Sequence, residues 1–393
     1  PIPLIRHHFG LPSLEKTIKG VEEIAKSCYV DIISIGPDQI AQECFFNQDN
    51  ICNEFEGGGG VPLRKKEDLE TIYTSSRIGN FPLLRCYAGT NDLIEWGNML
   101  KDTINNAWGA IPLFWYSELD GRSKRNLMNA IIENQRAIKW HAENEIPIEI
   151  NDSHQWALRK TTDPIEVVSA YIATYNAKKL GVKYYIQQFM MNVPPEISPE
   201  MDIAKMLAKL ELISELSDDT FTILRMIRTG LASLSVDEDI AKGELASSIT
   251  IGMYLLPHII HVVGYSEAYN VATPKVVIES SKIAKGVVKN CLKGLPAIGE
   301  NKKIIKRKEE IIKDVRVLLE TINSLGDNID PLTDPNTLYM AVKTGLLDAE
   351  NLKGFNPGKG DIKTAIIDGT VQCIDENSGK IISEKERVAR LNI

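Results

Sequence analysis

Eight short apolar runs recur through the first 265 residues, at positions 3–9, 30–36, 82–87, 109–116, 146–151, 183–189, 221–227 and 258–265. Helix-patterned segments separate most of them. Residues 14–26 carry helical periodicity behind Ser13, an N-capping residue type. Residues 91–105, 123–144, 164–180 and 201–216 repeat the pattern, the helix over 164–180 ending before Gly181, a C-cap residue type. Strands alternating with helices predict parallel βαβ units. Eight such units predict an α/β (β/α)8 TIM barrel, whose chemistry sits at the C-terminal strand ends. The residues that close each run are therefore the candidate site.

The barrel is expected over residues 1–295, closed by a helix over 273–293. Residues 296–393 read as an extension: a charged helix over 301–325, then Asp-, Gly-, Asn- and Pro-rich sequence with two β-like runs at 364–368 and 370–375. One connection, between Pro37 and Pro82, is too long for a simple unit, and long loops in compact domains are functional or disordered. It holds the glycine run 57–60. Gly58 and Gly59, lacking side chains, would let backbone N–H groups approach a ligand, whereas the alternative reading is a flexible tether.

The net charge of −8 argues against nucleic acid as the main partner but not against a small anionic ligand held by a local basic cluster. No apolar stretch reaches the length of a membrane span, and no leader pattern is visible in the sequence, which begins at Pro1. The cysteines Cys28, Cys44, Cys52, Cys86, Cys291 and Cys373 form no CxxC pair or zinc spacing and read as reduced thiols of a cytoplasmic protein. No Walker A, GxGxxG, HExxH, GxSxG or EF-hand pattern occurs. No metal site is expected.

At the third strand end stands Arg85, with Tyr87 on the same strand parity. An arginine at a barrel mouth forks onto a carboxylate or phosphate; otherwise it caps a helix or bridges a loop. The fourth run ends in Trp115 and Tyr116, which wall a planar ligand or simply fill the mouth. The fifth ends in Asp152 and His154, candidates for acid–base work. Gln188 lies on the opposite face of the sixth strand from Tyr185 and Gln187. The seventh offers Arg225 and Arg228, and the eighth Ser266 and Glu267. His258 and His261, three apart on a strand, point to opposite faces and read as structural.

The segment 81–116, with PLLRCYAGTNDLIEW and the following WGAIPLFWY, resembles the catalytic barrel of coenzyme B12-dependent mutases. The similarity is to the epsilon subunit of glutamate mutase (methylaspartate mutase) and the alpha subunit of lysine 5,6-aminomutase. EGGGGVPLRKKEDL (56–69) resembles a glycine-rich loop of the aminomutase. VVGYSEAYNVATPKVVIES (262–280), LTDPNTLYMAVKTGLLDAE and GKGDIKTAIIDGTVQCID resemble the end of the glutamate mutase subunit. The resemblance implies an adenosylcobalamin-dependent radical isomerase acting on a small amino acid or carboxylic acid. It puts Arg85 on the substrate-carboxylate arginine, with Tyr87, Tyr116, Gln188 and Arg228 around the substrate. Glu267 falls on a glutamate that contacts the adenosyl ribose, with Ser266, Gly58 and Gly59 beside the cofactor. Val263 and Gly264 occupy the region where glutamate mutase carries a lysine. Through the aminomutase relative, pyridoxal phosphate is a second implied cofactor.

DSHQWA (152–157) is similar to the DxHxxG signature of the separate corrinoid-binding domain, but Ala157 replaces its glycine, so His154 is not read as a cobalt ligand. A small corrinoid-binding protein with an intact DxHxxG is the expected partner, in a homo-oligomer or heterotetramer. Two other functions fit the same barrel: a corrinoid-protein-dependent methyltransferase, and a non-catalytic barrel that binds a corrinoid protein.

Overall fold

The computed structural model describes residues 2–47, 58–326, 329–391 and 393. Each of the eight apolar runs contributes a strand: β1 (Leu4–Phe9), β2 (Ile32–Ile35), β3 (Leu83–Cys86), β4 (Gly109–Ala110), β5 (Ile148–Glu149), β6 (Tyr184–Met191), β7 (Thr222–Thr229) and β8 (Ile259–Val262). They pair in parallel in the order β3-β2-β1-β8-β7-β6-β5-β4, a nearly closed TIM barrel. The seam lies between β3 and β4. It is bridged by one backbone bond, Ala107 N–H to the Leu84 carbonyl at 2.9 Å. An asparagine side chain takes over the rest: Asn106 Oδ1 accepts from Cys86 N–H at 3.1 Å, and Nδ2 donates to the Trp108 carbonyl at 2.8 Å.

The helices in chain order are α1 (Leu14–Ser27), α2 (Gln39–Cys44), α3 (Lys66–Ser76), α4 (Leu93–Ile104), α5 (Leu127–Glu143), α6 (Asp152–Ala157), α7 (Asp163–Lys179), α8 (Pro199–Ser214), α9 (Glu238–Gly252), α10 (Pro274–Cys291), α11 (Lys302–Ser324), α12 (Pro335–Lys343) and α13 (Glu384–Ala389). Their starts follow local chemistry. The side chains of Ser13, Asn126, Ser198 and Thr273 each accept a first-turn N–H, which satisfies a donor the helix cannot. Gly181 follows α7 with φ at +89°, a conformation in which a side chain is strained.

Three departures from the sequence reading have local causes. The fourth run stops being strand after Ala110, because Leu113 and Phe114 turn in to give their N–H groups to the Asp152 carboxylate. The fifth run is strand only over Ile148–Glu149, and Asp152 opens the short helix α6. The long connection after β2 carries two helices, α2 and α3, and Gly60 sits where a Cβ would lie 2.1 Å from the Gly36 carbonyl oxygen, so the glycine permits close backbone approach. Gly57 lies outside the described residues.

Inside the barrel the strands' alternate residues form a dry floor of Ile32, Trp108, Ile186, Met226 and Ile259. The outward set packs against the helices. One of these outer clusters runs without a break from α5 and α7 residues such as Ile131 and Val168 into Ile311, Val315 and Leu318 of α11 and Leu338 of α12. The strands β9 (Thr364–Ile367) and β10 (Thr370–Cys373) form an antiparallel hairpin at the two β-like runs. Among the described residues no helix is long and apolar enough to cross a membrane.

Candidate functional site: a cationic chamber above the barrel floor

Polar residues replace the apolar floor one step toward the C-terminal strand ends. Arg6, Ser34, Arg85, Glu149 and His261 are all fully buried. Arg6 donates to Ser34 Oγ at 2.8 Å and to Glu149 Oε2 at 3.2 Å. Trp108 Nε1 donates to the same carboxylate at 2.6 Å. Burial pushes the Glu149 carboxyl up, but Arg6, Arg85 and the Trp108 bond outweigh it and hold it at about 2. Burial and the neighbouring Arg85 pull Arg6 down to about 10.

Arg85 differs from Arg6. Its Nη2 lies 3.2 Å from Glu149 Oε2, an ion-pair distance, but without hydrogen-bond alignment. Nε, Nη1 and Nη2 make no hydrogen bond with any described residue. The guanidinium lies over the Tyr87 ring at 4.6 Å and the Trp108 ring at 5.6 Å. Arg228, paired in register with His261 on the neighbouring strand, also has an unpartnered buried Nε. Glu149 is thus set between the guanidiniums of Arg6 and Arg85, with Arg228 also acting on Arg6.

A cavity of about 560 Å³ opens at the C-terminal strand ends, lined among others by His8, Tyr87, Arg228 and Glu267. That volume suits a small molecule. The His8 and Tyr87 rings stack at 4.6 Å, and His261 meets His8 edge-on at 4.3 Å. Neither His261 nitrogen has a partner among the described residues. Burial first, and then the arginines, hold the His8 and His261 imidazoles well below the usual histidine range. Burial first, and then Arg228, also hold the His154 imidazole well below the usual range, and its Nδ1 lies 2.9 Å from Gln188 Nε2. Gln188 faces inward, whereas Tyr185 and Gln187 turn outward and share a hydrogen bond at 3.3 Å, with Thr174 of α7 also bonding to Gln187.

Of the residues singled out in the sequence, Tyr87, Arg228, Glu267 and Gly59 line the cavity, with Arg85 beneath Tyr87. Gly58 gives its carbonyl, not its N–H, to Gln39 N–H at 3.1 Å. Tyr116 is half-buried, with Arg122 over its ring at 4.9 Å, and its carbonyl accepts from Arg125 at 2.8 Å. Asp152 is committed elsewhere: its oxygens accept from Leu113 N–H at 2.6 Å and Phe114 N–H at 2.9 Å. Burial still pushes its carboxyl up to about 7. Arg225 donates to the Leu256 carbonyl, and His258 Nδ1 accepts from Arg225 N–H at 3.0 Å, below the floor. Arg6, His8, Glu149 and His261 were not singled out as site residues from sequence. Their signal was present: charged or imidazole side chains at alternate positions inside apolar runs (Leu-Ile-Arg-His-His-Phe, Ile-Glu-Ile-Asn) have one parity and hence one face.

The features expected around an adenosyl group fit such an occupant. Ser266 Oγ is buried and unpartnered, and a Cβ on Gly36 or Gly59 would enter open space beside the cavity. Glu267 Oε2 accepts from Gly264 N–H at 3.0 Å, which fixes its carboxylate at the rim.

No protein-family model and no curated protein matches the chain. Among solved structures, a rubisco-like protein from Burkholderia fungorum is similar at 12% identity and a TM-score of 0.43, over 78% of this chain. The chain spans about 65% of that protein's length.

Proposed function

We propose that this barrel is the catalytic subunit of an adenosylcobalamin-dependent radical isomerase whose substrate is a small amino or carboxylic acid. The observation that carries the substrate class is Arg85: a fully buried guanidinium without a hydrogen bond among the described residues, in a chamber where arginines outnumber carboxylates. A buried cation left so is costly, and an anionic ligand forking onto it removes the cost. Arg228 offers a second anchor at the cavity wall. The cofactor assignment rests on the sequence resemblance, supported by Gly59 and Glu267 at the cavity rim and by the buried, unpartnered Ser266 Oγ next to Glu267 in sequence.

In this reading the protein binds, orients and excludes water, while the cofactor, when bound, supplies the radical chemistry. Arg85 and Arg228 hold the substrate anion. Tyr87, stacked over Arg85, aligns it from the same wall. His154, neutral and oriented by Gln188, handles a proton at the strand ends. Glu267 and Ser266 hold the adenosyl hydroxyls. A corrinoid-binding partner covers the mouth, and no pyridoxal phosphate anchor is assigned.

The test reconstitutes the chain with adenosylcobalamin and a DxHxxG protein, and screens small amino and carboxylic acids. The expected result is a paramagnetic resonance signal and a corrin absorbance change that require substrate and are lost in Arg85→Lys. Methyl transfer without any radical signal would favour the methyltransferase barrel instead.

A further inference from the structure

The pair formed by His8 and Tyr87 is half-buried and lines the cavity, and His8 has no role in the reading above. Tyr87 Oη is hydrogen-bonded to His8 Nε2. Arg6 Nη2 also faces that nitrogen, at 3.4 Å. A guanidinium can only donate, so Nε2 is the acceptor and the proton of the neutral ring sits on Nδ1. That Nδ1–H is buried and has no partner among the described residues. The pair is therefore neutral, with the Nε2 lone pair engaged by the Tyr87 hydroxyl and one unused donor at Nδ1.

We propose that His8 and Tyr87 act together as the general base of the chamber, and that the substrate's own negative charge switches the base on. This rests on the reading of the chamber as an anion site. The proton balance is closed. A substrate N–H or O–H gives its proton to Tyr87 Oη as the Tyr87 phenolic proton moves to His8 Nε2. The substrate atom keeps the electron pair, Tyr87 remains a phenol, and His8 becomes imidazolium; the return transfer runs the same path backwards.

The field explains the switch. The charged and titratable groups around His8 are Arg6 and His7 on its own strand, Arg85 and Tyr87 on β3, Arg228 on β7 and His261 on β8, with the Glu267 carboxylate on the same cavity wall after β8. Glu149 on β5 is spent on Arg6 and Arg85. Burial first, and then the three guanidiniums, disfavour an imidazolium at His8 in the free chain. An anion bridging Arg85 and Arg228 cancels that field, so His8 becomes basic when substrate is present. A base that is idle in the empty chamber avoids holding a buried, unpaired imidazolium.

The experiment is nitrogen-15 NMR of the full chain labelled at histidine, with the His8 ring assigned by its loss in His8→Gln. Succinate and inorganic phosphate are the probes. In the free chain His8 is expected as the neutral Nδ1–H form from pH 5 to 8. With a saturating probe its protonation midpoint should rise by at least about one pH unit, the shift an opposing charge at close range produces. In Tyr87→Phe, Nε2 should report the lost phenol bond while the anion-induced rise persists. An Nε2–H tautomer in the free chain overturns the pair. So does a probe that binds, by calorimetry, without moving His8. A chain that binds neither probe overturns the anion reading of the chamber itself, and the pair with it.

Discussion

Replacing Glu149 by Gln should weaken the fold and strengthen anion binding at once. Glu149 is fully buried and pairs with Arg6 at 3.2 Å and Arg85 at 3.2 Å. Removing one partner of a buried pair costs about 3–5 kcal/mol, because the cations stay behind uncompensated. The pH linkage gives a similar size. The carboxyl is held at about 2 against an ordinary 4.5, and that difference is worth on the order of 3 kcal/mol. Because the folded value is depressed, this stability is fully present above pH 4.5 and is lost as pH falls toward 2. An unfolding entropy of about 2.1 cal/mol/K per residue over 393 residues gives about 0.8 kcal/mol/K, so the melting temperature should drop by about 4–6 °C. The same change removes a negative charge from beside Arg85, and affinity for succinate should rise at least about tenfold. Differential scanning calorimetry at pH 7 and pH 4, with isothermal titration of succinate, reads both effects. A variant that melts within 1 °C of the parent by calorimetry, or that binds succinate more weakly, would refute the charge argument.

Three further outcomes are expected. Arg85→Lys keeps the charge but loses the planar fork, so succinate affinity by calorimetry should fall tenfold or more, with a smaller melting shift than in Glu149→Gln. Asp152→Asn leaves the carboxyl's two backbone donors, Leu113 and Phe114, with a poorer acceptor, so stability should fall by about 1–3 kcal/mol in urea titration while anion affinity stays unchanged. A loss of affinity there would return Asp152 to the chamber. Asn106→Ala strips the seam between β3 and β4, and the Cys86 amide should exchange hydrogen markedly faster than its β2-paired neighbours, by hydrogen-exchange NMR.

The barrel was legible because its signal is repetitive. Each parallel strand is covered on both sides, so each reads as an apolar run, and all eight runs became strands. What escaped was the departure from that signal. Helix α9 was missed between two runs, because its buried residues Ala241, Leu245, Ser248 and Ile249 form a weak stripe. The site was half legible. Strand-end logic found Tyr87, Arg228 and Glu267, which line the cavity, but it looks only beyond the last apolar residue. His8 lines the same cavity and Arg6 and Glu149 lie below it, but all three sit inside the runs, where a charge or imidazole reads as an interruption until a second strand supplies its partner. Asp152 stands in the right place, yet its carboxylate latches the preceding loop, a role only the fold of that loop could reveal.

The account turns on an anion seated on Arg85. The most direct measurement is a crystal structure of the full chain with bound succinate. The account predicts one carboxylate forked onto the Arg85 guanidinium, within hydrogen-bond distance of its now unpartnered nitrogens, and the second reaching Arg228 across the cavity. Succinate found only on the outer surface, with the Arg85 nitrogens turned to a protein acceptor, would contradict it.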